Sequence, residues 1–238
     1  MHYVMSDIHG DMEKFQKMIE LIKLRWWDRL YILGDVIDRG SAGVEILKYI
    51  MQHRNIFLLK GNHERDMCRA IIRESKDIAD SLSDFESWFD DGGRITYEKL
   101  LEEPEEVAYE IVNYVDECPD YEIVTIKKRT FIMVHAGLLW NKDFSLEENL
   151  AYNQKNANLY YIREGFLDRD IDIPYTIIAG HTPVEYLDEY IRGIRRSLRY
   201  KNNQIIFRKD KILIDCGCGN GRNLSCLRLE DMKEFYVE

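Results

Sequence analysis

Polar clusters that each close an apolar, strand-length run constrain this chain more than any other feature. Leu30-Tyr31-Ile32-Leu33 runs into Gly34-Asp35-Val36-Ile37-Asp38-Arg39-Gly40, which sets two carboxylates and a guanidinium just past a strand end. Tyr3-Val4-Met5 leads into Ser6-Asp7-Ile8-His9-Gly10, and Ile56-Phe57-Leu58-Leu59 leads into Gly61-Asn62-His63-Glu64. Phe131-Ile132-Met133 reaches Val134-His135-Ala136-Gly137, and Thr176-Ile177-Ile178-Ala179 reaches Gly180-His181-Thr182-Pro183. Ligand sites in α/β folds gather at strand ends, so five segments offer donors to one place. Any one of these histidines taken alone reads as structural, but a complete ligand set in this arrangement reads as a metal site.

The first 75 residues alternate strand and helix, the pattern of right-handed βαβ units and a largely parallel sheet. Asp11 is the expected cap of a helix over Met12 to Leu24, and Ser41 of a second helix carrying Val44, Leu47 and Ile50. Residues 78–117 turn acidic and helical around Gly92-Gly93 and Pro104, which predicts a helical subdomain inserted into a single domain over 1–238. The second half reads as strands at Tyr121 to Ile126, Thr130 to Val134, Tyr175 to Ala179, Gln204 to Phe207, Ile212 to Asp215 and Leu224 to Leu229, with Lys209-Asp210-Lys211 as a hairpin turn. Trp26-Trp27 reads as core packing.

A hydrophobic content of 45% suffices for a core, and a net charge of −10 argues against a nucleic-acid polymer as partner. The N-terminus does not read as a signal peptide and no run reaches membrane length, so the expectation is a soluble, cytoplasmic protein with no membrane partner. Five cysteines without zinc-site spacing read as reduced, buried thiols, Cys216 and Cys218 included. Arg192 to Lys211 is locally basic. It reads as a solvated loop and hairpin, with a groove for an acidic substrate as the alternative.

The donors suit hydrolysis of phosphate esters. Asp7 and His9, two apart on an extended segment, share a face and can hold one cation. Asp35 can bridge to a second, completed by Asn62, His135 and His181. Oxygen and imidazole donors without thiolate suit two divalent ions, manganese foremost, with iron, zinc, cobalt or nickel also compatible. Such a pair can activate water and clamp phosphoryl oxygens. Arg39 and His63 are the candidates for binding the phosphate and protonating the leaving group, Asp38 for supporting His63, and Arg163 for a second guanidinium. Arg39, Asn62, His63 and Arg163 form the substrate-facing set.

In order and type these motifs resemble the calcineurin-like metallophosphoesterases, in particular the phosphoprotein phosphatase branch with its bacterial serine/threonine phosphatases and symmetrical diadenosine tetraphosphatases. Asp38-Arg39-Gly40 and Gly61-Asn62-His63-Glu64 are the most specific parts. The resemblance implies a fold of two mixed sheets flanked by helices. It implies a first metal on Asp7, His9 and Asp35 and a second on Asp35, Asn62, His135 and His181. It also makes His63 the general acid, supported by Asp38, with Arg39 and Arg163 on the phosphate. Ser6 stands where the branch usually has glycine and Ala136 where eukaryotic members have glycine; neither is expected to touch a proposed ligand. Trp88-Phe89-Asp90-Asp91-Gly92-Gly93 resembles the insertion of bacterial and nucleotide-cleaving members. The expected activity is a phosphomonoesterase acting on phosphoserine, phosphothreonine or phosphotyrosine in proteins or on a small phosphorylated substrate. Cleavage of dinucleoside polyphosphates is the alternative, and a non-catalytic scaffold with the same fold is a third reading that the complete ligand set disfavours.

Overall fold

The computed structural model describes residues 1–72 and 78–238; the end of the first sequence region, 73–75, lies outside them. The elements run β1 (His2–Met5), α1 (Met12–Ile22), β2 (Arg29–Ile32), α2 (Gly43–Met51), β3 (Ile56–Leu58), α3 (Asn62–Ile72), α4 (Ile78–Asp90), α5 (Arg94–Glu102) and α6 (Glu105–Glu117). They continue with β4 (Tyr121–Ile126), β5 (Arg129–Val134), α7 (Leu146–Lys155), α8 (Asn158–Tyr161), β6 (Thr176–Ala179), α9 (Leu198–Lys201), β7 (Ile206–Phe207), β8 (Lys211–Leu213), β9 (Leu224–Arg228) and β10 (Lys233–Val237).

Two mixed five-stranded sheets result, in the orders β10-β9-β1-β2-β3 and β4-β5-β6-β8-β7. The β1-β2-β3 and β5-β6-β8 neighbours are parallel, while β9, β10, β4 and β7 add antiparallel edges. Strand alternation divides the apolar residues between two cores. Tyr3, Met5, Leu30, Ile32, Leu58 and Cys226 pack with Phe15, Met18, Val44, Leu47 and Met67 of the helices. Val4, Tyr31, Leu33, Leu59 and Leu227 pack instead with Ile132, Ile177, Ile178 and Leu213 of the second sheet. The sheets therefore stack through one core while helices cover the first sheet's other face. The inserted helices belong to that helical core, to which they contribute Trp88, Leu100, Ile111, Val112 and Val115.

Local signals account for most boundaries. Asp11 caps α1, its Oδ1 accepting from the Lys14 N–H at 2.9 Å. The helix stops at Ile22 and not at Leu24, because Lys23 turns into the left-handed region (φ 50°) and closes the C-terminus. That turn carries Trp26 and Trp27 outward, 82% and 56% exposed and edge-to-face with each other, so the expectation that they pack in the core is corrected. Ser41 does not cap α2. Ala42 occupies the cap position without a side-chain bond, its own N–H donating to the Gly10 carbonyl of the neighbouring loop. The hairpin at Lys209-Asp210-Lys211 forms between β7 and β8, whereas β10, α7 and α8 are not among the elements expected from the sequence, although α7 opens on a capping box between Ser145 and Glu148. All five cysteines are buried and free.

Leu227 is fully buried between the sheets. Leu227→Ala is expected to cost about 2–5 kcal/mol, read as a lower urea midpoint at unchanged slope.

Candidate metal centre

The loops that carry the site hold their conformation against local preference. Asp7, His9, Asp35, Asp38, Arg39 and His181 all have positive φ, between 48° and 68°. Each such residue costs on the order of 1 kcal/mol or more, so surrounding contacts must impose the geometry. The loops after β1 and β2 pair through Asp7 N–H to the Gly34 carbonyl (3.1 Å), His9 N–H to the Asp35 carbonyl (2.9 Å) and Gly10 N–H to the Val36 carbonyl (2.8 Å). Gly10 and Gly40 meet backbone to backbone; a Cβ on either would lie 2.4 Å from a carbonyl oxygen of the other loop. The fully buried Glu64 then joins the β2 loop to the start of α3. Its Oε2 accepts from the N–H groups of Asp35 (2.7 Å) and Gly61 (2.9 Å), and its Oε1 from that of Val36 (2.8 Å).

The donors fall into two compact groups, His9 with Asp35 and His63, and Asp35 with His135 and His181, the ligand atoms in each lying within 4.8 Å of one another. Asp35 belongs to both. Its Oδ2 lies 3.7 Å from His9 Nε2 and its Oδ1 3.4 Å from His135 Nε2, the disposition of a bridging carboxylate. Asn62 Oδ1 joins the second group, 2.9 Å from His135 Nε2 and 3.0 Å from His181 Nδ1.

Hydrogen bonds on the far side of the rings make this donor set fit a cation. His135 Nδ1–H donates to the Leu33 carbonyl at 2.7 Å and His9 Nδ1–H to the Ile37 carbonyl at 3.1 Å. In a neutral ring that leaves the Nε2 lone pair facing inward. Burial, ahead of neighbouring cations, holds His9 and His181 well below the ordinary imidazole value and lowers His135 as well. Unprotonated nitrogens thus face the oxygens of Asn62 and Asp35 across short gaps, an arrangement that a metal ion between them turns from repulsive to attractive.

Asp7 falls in neither three-residue group, although its carboxylate acts on Asp35 and His135, and the shared-face argument for pairing it with His9 does not hold. Both residues turn left-handed and neither lies on an extended segment. The Asp7 carboxylate accepts from the His181 N–H (3.0 and 3.2 Å) and from Ser6 Oγ–H. The serine at the position where the resembling branch has glycine therefore does touch a proposed ligand, contrary to the expectation.

His63 is buried beside the first group. Its Nδ1 bonds Asp38 Oδ2 at 2.7 Å, and its Nε2 faces Asp35, Asp91 and Arg39. Burial opposes its charged form, but the Asp35, Asp38 and Asp91 carboxylates outweigh that and raise it to about 10. Asp91, half exposed, lies 3.4 Å from both His63 Nε2 and Arg39 Nη2, and so offers an acceptor to both. Arg163 follows α8 in a loop and lines the same cleft.

The cleft, about 350 Å³, is walled by His9, Asp35, Asn62 and His181, with Arg39, Arg163, Tyr161 and Tyr186 at its sides. Asp91, Tyr161, Tyr186 and Asp215 were not among the candidates read from the sequence. Asp91 lies in the quoted motif from Trp88 to Gly93 and Asp215 ends a predicted strand, but a lone exposed tyrosine carries no signal of its own. No residue of the basic stretch lines the cleft. Arg195 pairs with Asp188, Arg199 with Glu234, Arg208 with Asp170 and Lys209 with Asp172. Lys211 is buried against the Phe166 and Arg169 carbonyls. The solvated loop and hairpin is the reading that fits. Among the described residues no helix is long and apolar enough to cross a membrane.

Residues 3–214 match the family model described as calcineurin-like phosphoesterase. A symmetrical bis(5'-nucleosyl)-tetraphosphatase of Chromobacterium violaceum is 34% identical, the alignment covering 99% of this chain and 94% of the relative. One of Wigglesworthia glossinidia brevipalpis is 30% identical over 66% of this chain and 50% of the relative. The chain thus spans about half the length of the first curated relatives it matches. Among solved structures, a protein serine/threonine phosphatase from Saccharomyces cerevisiae superposes with a TM-score of 0.55 at 15% identity, covering 99% of this chain and 78% of that one, a likeness of fold.

Two outcomes are expected. His135→Ala should reduce bound manganese from about two ions per chain to about one, measured by elemental analysis alongside an unchanged circular dichroism spectrum. Glu64→Ala should cost about 3 kcal/mol or more, since each buried N–H left without its acceptor costs about 1–3 kcal/mol, measured by urea unfolding.

Proposed function

The chain belongs to the calcineurin-like phosphoesterase family, and we propose that it is a hydrolase dependent on two metal ions that cleaves dinucleoside tetraphosphates symmetrically into two nucleoside diphosphates. The observation that carries the substrate is the nearly end-to-end correspondence with the Chromobacterium violaceum enzyme. It exchanges the order of the two substrate classes read from the sequence, where phosphoproteins came first. The basic stretch no longer supports the nucleotide reading. The half-exposed Tyr186 and the partly exposed Tyr161, beside Arg39 and Arg163, take its place as faces for a base flanking the phosphates.

Asp7, His9 and Asp35 hold the first ion in this reading, and Asp35, Asn62, His135 and His181 the second, with manganese as the native metal and the cytoplasm as the place of reaction. The ions supply an activated water and polarise the phosphoryl oxygens. Arg39 and Arg163 bind the phosphoryl oxygens and orient the bond to be broken, a phosphoryl oxygen taking the acceptor position that Asp91 now has. His63, held through Nδ1 by Asp38, gives its Nε2 proton to the departing oxygen.

In a single reaction containing manganese, a phosphoserine/phosphothreonine peptide and diadenosine tetraphosphate at equal concentration, the dinucleotide should be consumed first. Such competition reads the ratio of specificity constants directly, and preferential loss of peptide phosphate would restore the protein phosphatase reading. Tyr186→Ala should lower dinucleotide cleavage about tenfold, the scale of one base stacked on an aromatic ring, and nitrophenyl phosphate hydrolysis by much less.

A further inference from the structure

The inserted helices make a contact with the site that its proposed chemistry has not yet used. Asp38 is fully buried and both its carboxylate oxygens accept hydrogen bonds, from three elements in all. Oδ2 accepts from His63 Nδ1–H at 2.7 Å and from Trp88 Nε1–H, on α4, at 2.9 Å. Oδ1 accepts from Thr96 Oγ1–H, on α5, at 2.6 Å, and the Asp38 N–H returns a bond to the same Thr96 oxygen at 3.0 Å. Trp88 and Thr96 are 1% and 2% exposed, so water does not compete for these bonds. Gly93 makes the fit close, since a Cβ there would lie 2.2 Å from Trp88 Nε1, and the Gly92 carbonyl accepts the Arg39 N–H at 3.3 Å.

We propose that Trp88 and Thr96 are positioning residues that lock the Asp38 carboxylate so that it aims His63 at the leaving oxygen, which makes the helical insertion a brace for proton transfer. A carboxylate that only orients a histidine works through direction, and it keeps its direction only while its other lone pairs are occupied. With the Trp88 or Thr96 bond gone, Asp38 can rotate about its last side-chain bond, and the His63 ring loses its fixed heading. The step affected is a single one. As the oxygen of a water that has lost one proton to solvent joins phosphorus, the bond from phosphorus to the leaving oxygen breaks. Its electron pair goes to that oxygen together with the Nε2 proton of His63, and solvent reprotonates His63 before the next turnover. This inference rests on the hydrolase reading above.

The test compares phenyl phosphate, whose leaving group needs a proton, with 4-nitrophenyl phosphate, whose leaving group needs it far less. Trp88→Phe and Thr96→Val each remove one donor while keeping most of the bulk, and Thr96→Ser keeps the hydroxyl. The expected result is a fall of about tenfold or more in the phenyl to nitrophenyl ratio of kcat/KM for Trp88→Phe and for Thr96→Val, within the range that one acid–base group contributes. Thr96→Ser should keep the wild-type ratio, and all variants should keep wild-type metal content. Equal losses on both substrates, or a Thr96→Ser variant that behaves like Thr96→Val, would mean that the pair only supports the fold. A second readout is independent of turnover. The His63 Nδ1 proton resonance of the metal-loaded protein should move in Trp88→Phe and Thr96→Val and stay in Thr96→Ser. If it stays in all three, the inference fails whatever the enzyme hydrolyses. If it moves as expected while the wild type hydrolyses neither ester, the brace stands and the monoester chemistry is what fails.

Discussion

One buried carboxylate sets the frame on which the candidate site stands. Glu64 accepts four backbone N–H groups, three from the loop after β2 and one from the turn into α3. It thereby sets the spacing between Asp35 and the Asn62-His63 pair. Those N–H groups have no helix or sheet partner to satisfy them, and leaving such groups bare in the interior is costly. The same bonds help to hold Asp35 at a φ of 54°, which directs its two oxygens toward different imidazoles. The divergence of the two Asp35 oxygens therefore follows from a residue that does not itself join either donor group.

Strain and support recur throughout the site. Six of the site's residues are left-handed, and contacts between loops from different strands, or with helices α4 and α5, support that geometry. The insertion contributes to the helical core through Leu100 and Val115 while its Trp88 and Thr96 reach Asp38. Stability and positioning thus draw on the same packing. Loops held this way can present polar atoms that would otherwise relax, an instance of strain stored at a functional site.

Much of this was legible in advance because it depends on composition at short range. Asp35, Asn62, His135 and His181 each follow an apolar run, and a strand that ends there must deliver them to the same edge. The cap at Asp11 and the hairpin around Asp210 are likewise local. Where the reading failed, the deciding contact was remote in sequence. Ser41 lost the cap of α2 to the interlocking of two loops, Trp26 and Trp27 were turned outward by a left-handed Lys23, and Arg195, Arg199 and Arg208 of the basic stretch found the carboxylates of Asp188, Glu234 and Asp170. Ser6 reaches Asp7 where Asp7 leaves the extended conformation on which the spacing argument depended.

The sequence by itself determined which chemistry the chain can do, since the types and order of the donors and their place after apolar runs follow from the strand period and from the polar nature of strand ends. Only the tertiary structure decided how those donors work together: which oxygen of Asp35 faces which imidazole, which nitrogen of each histidine keeps its lone pair, and what holds Asp38 in place. Each of these depends on a hydrogen bond between residues far apart in the chain, Leu33 with His135, Glu64 with Asp35, Trp88 with Asp38. Such bonds leave no periodic trace in the sequence, because their energy comes from excluding water around two groups that meet only once the sheets and helices have packed.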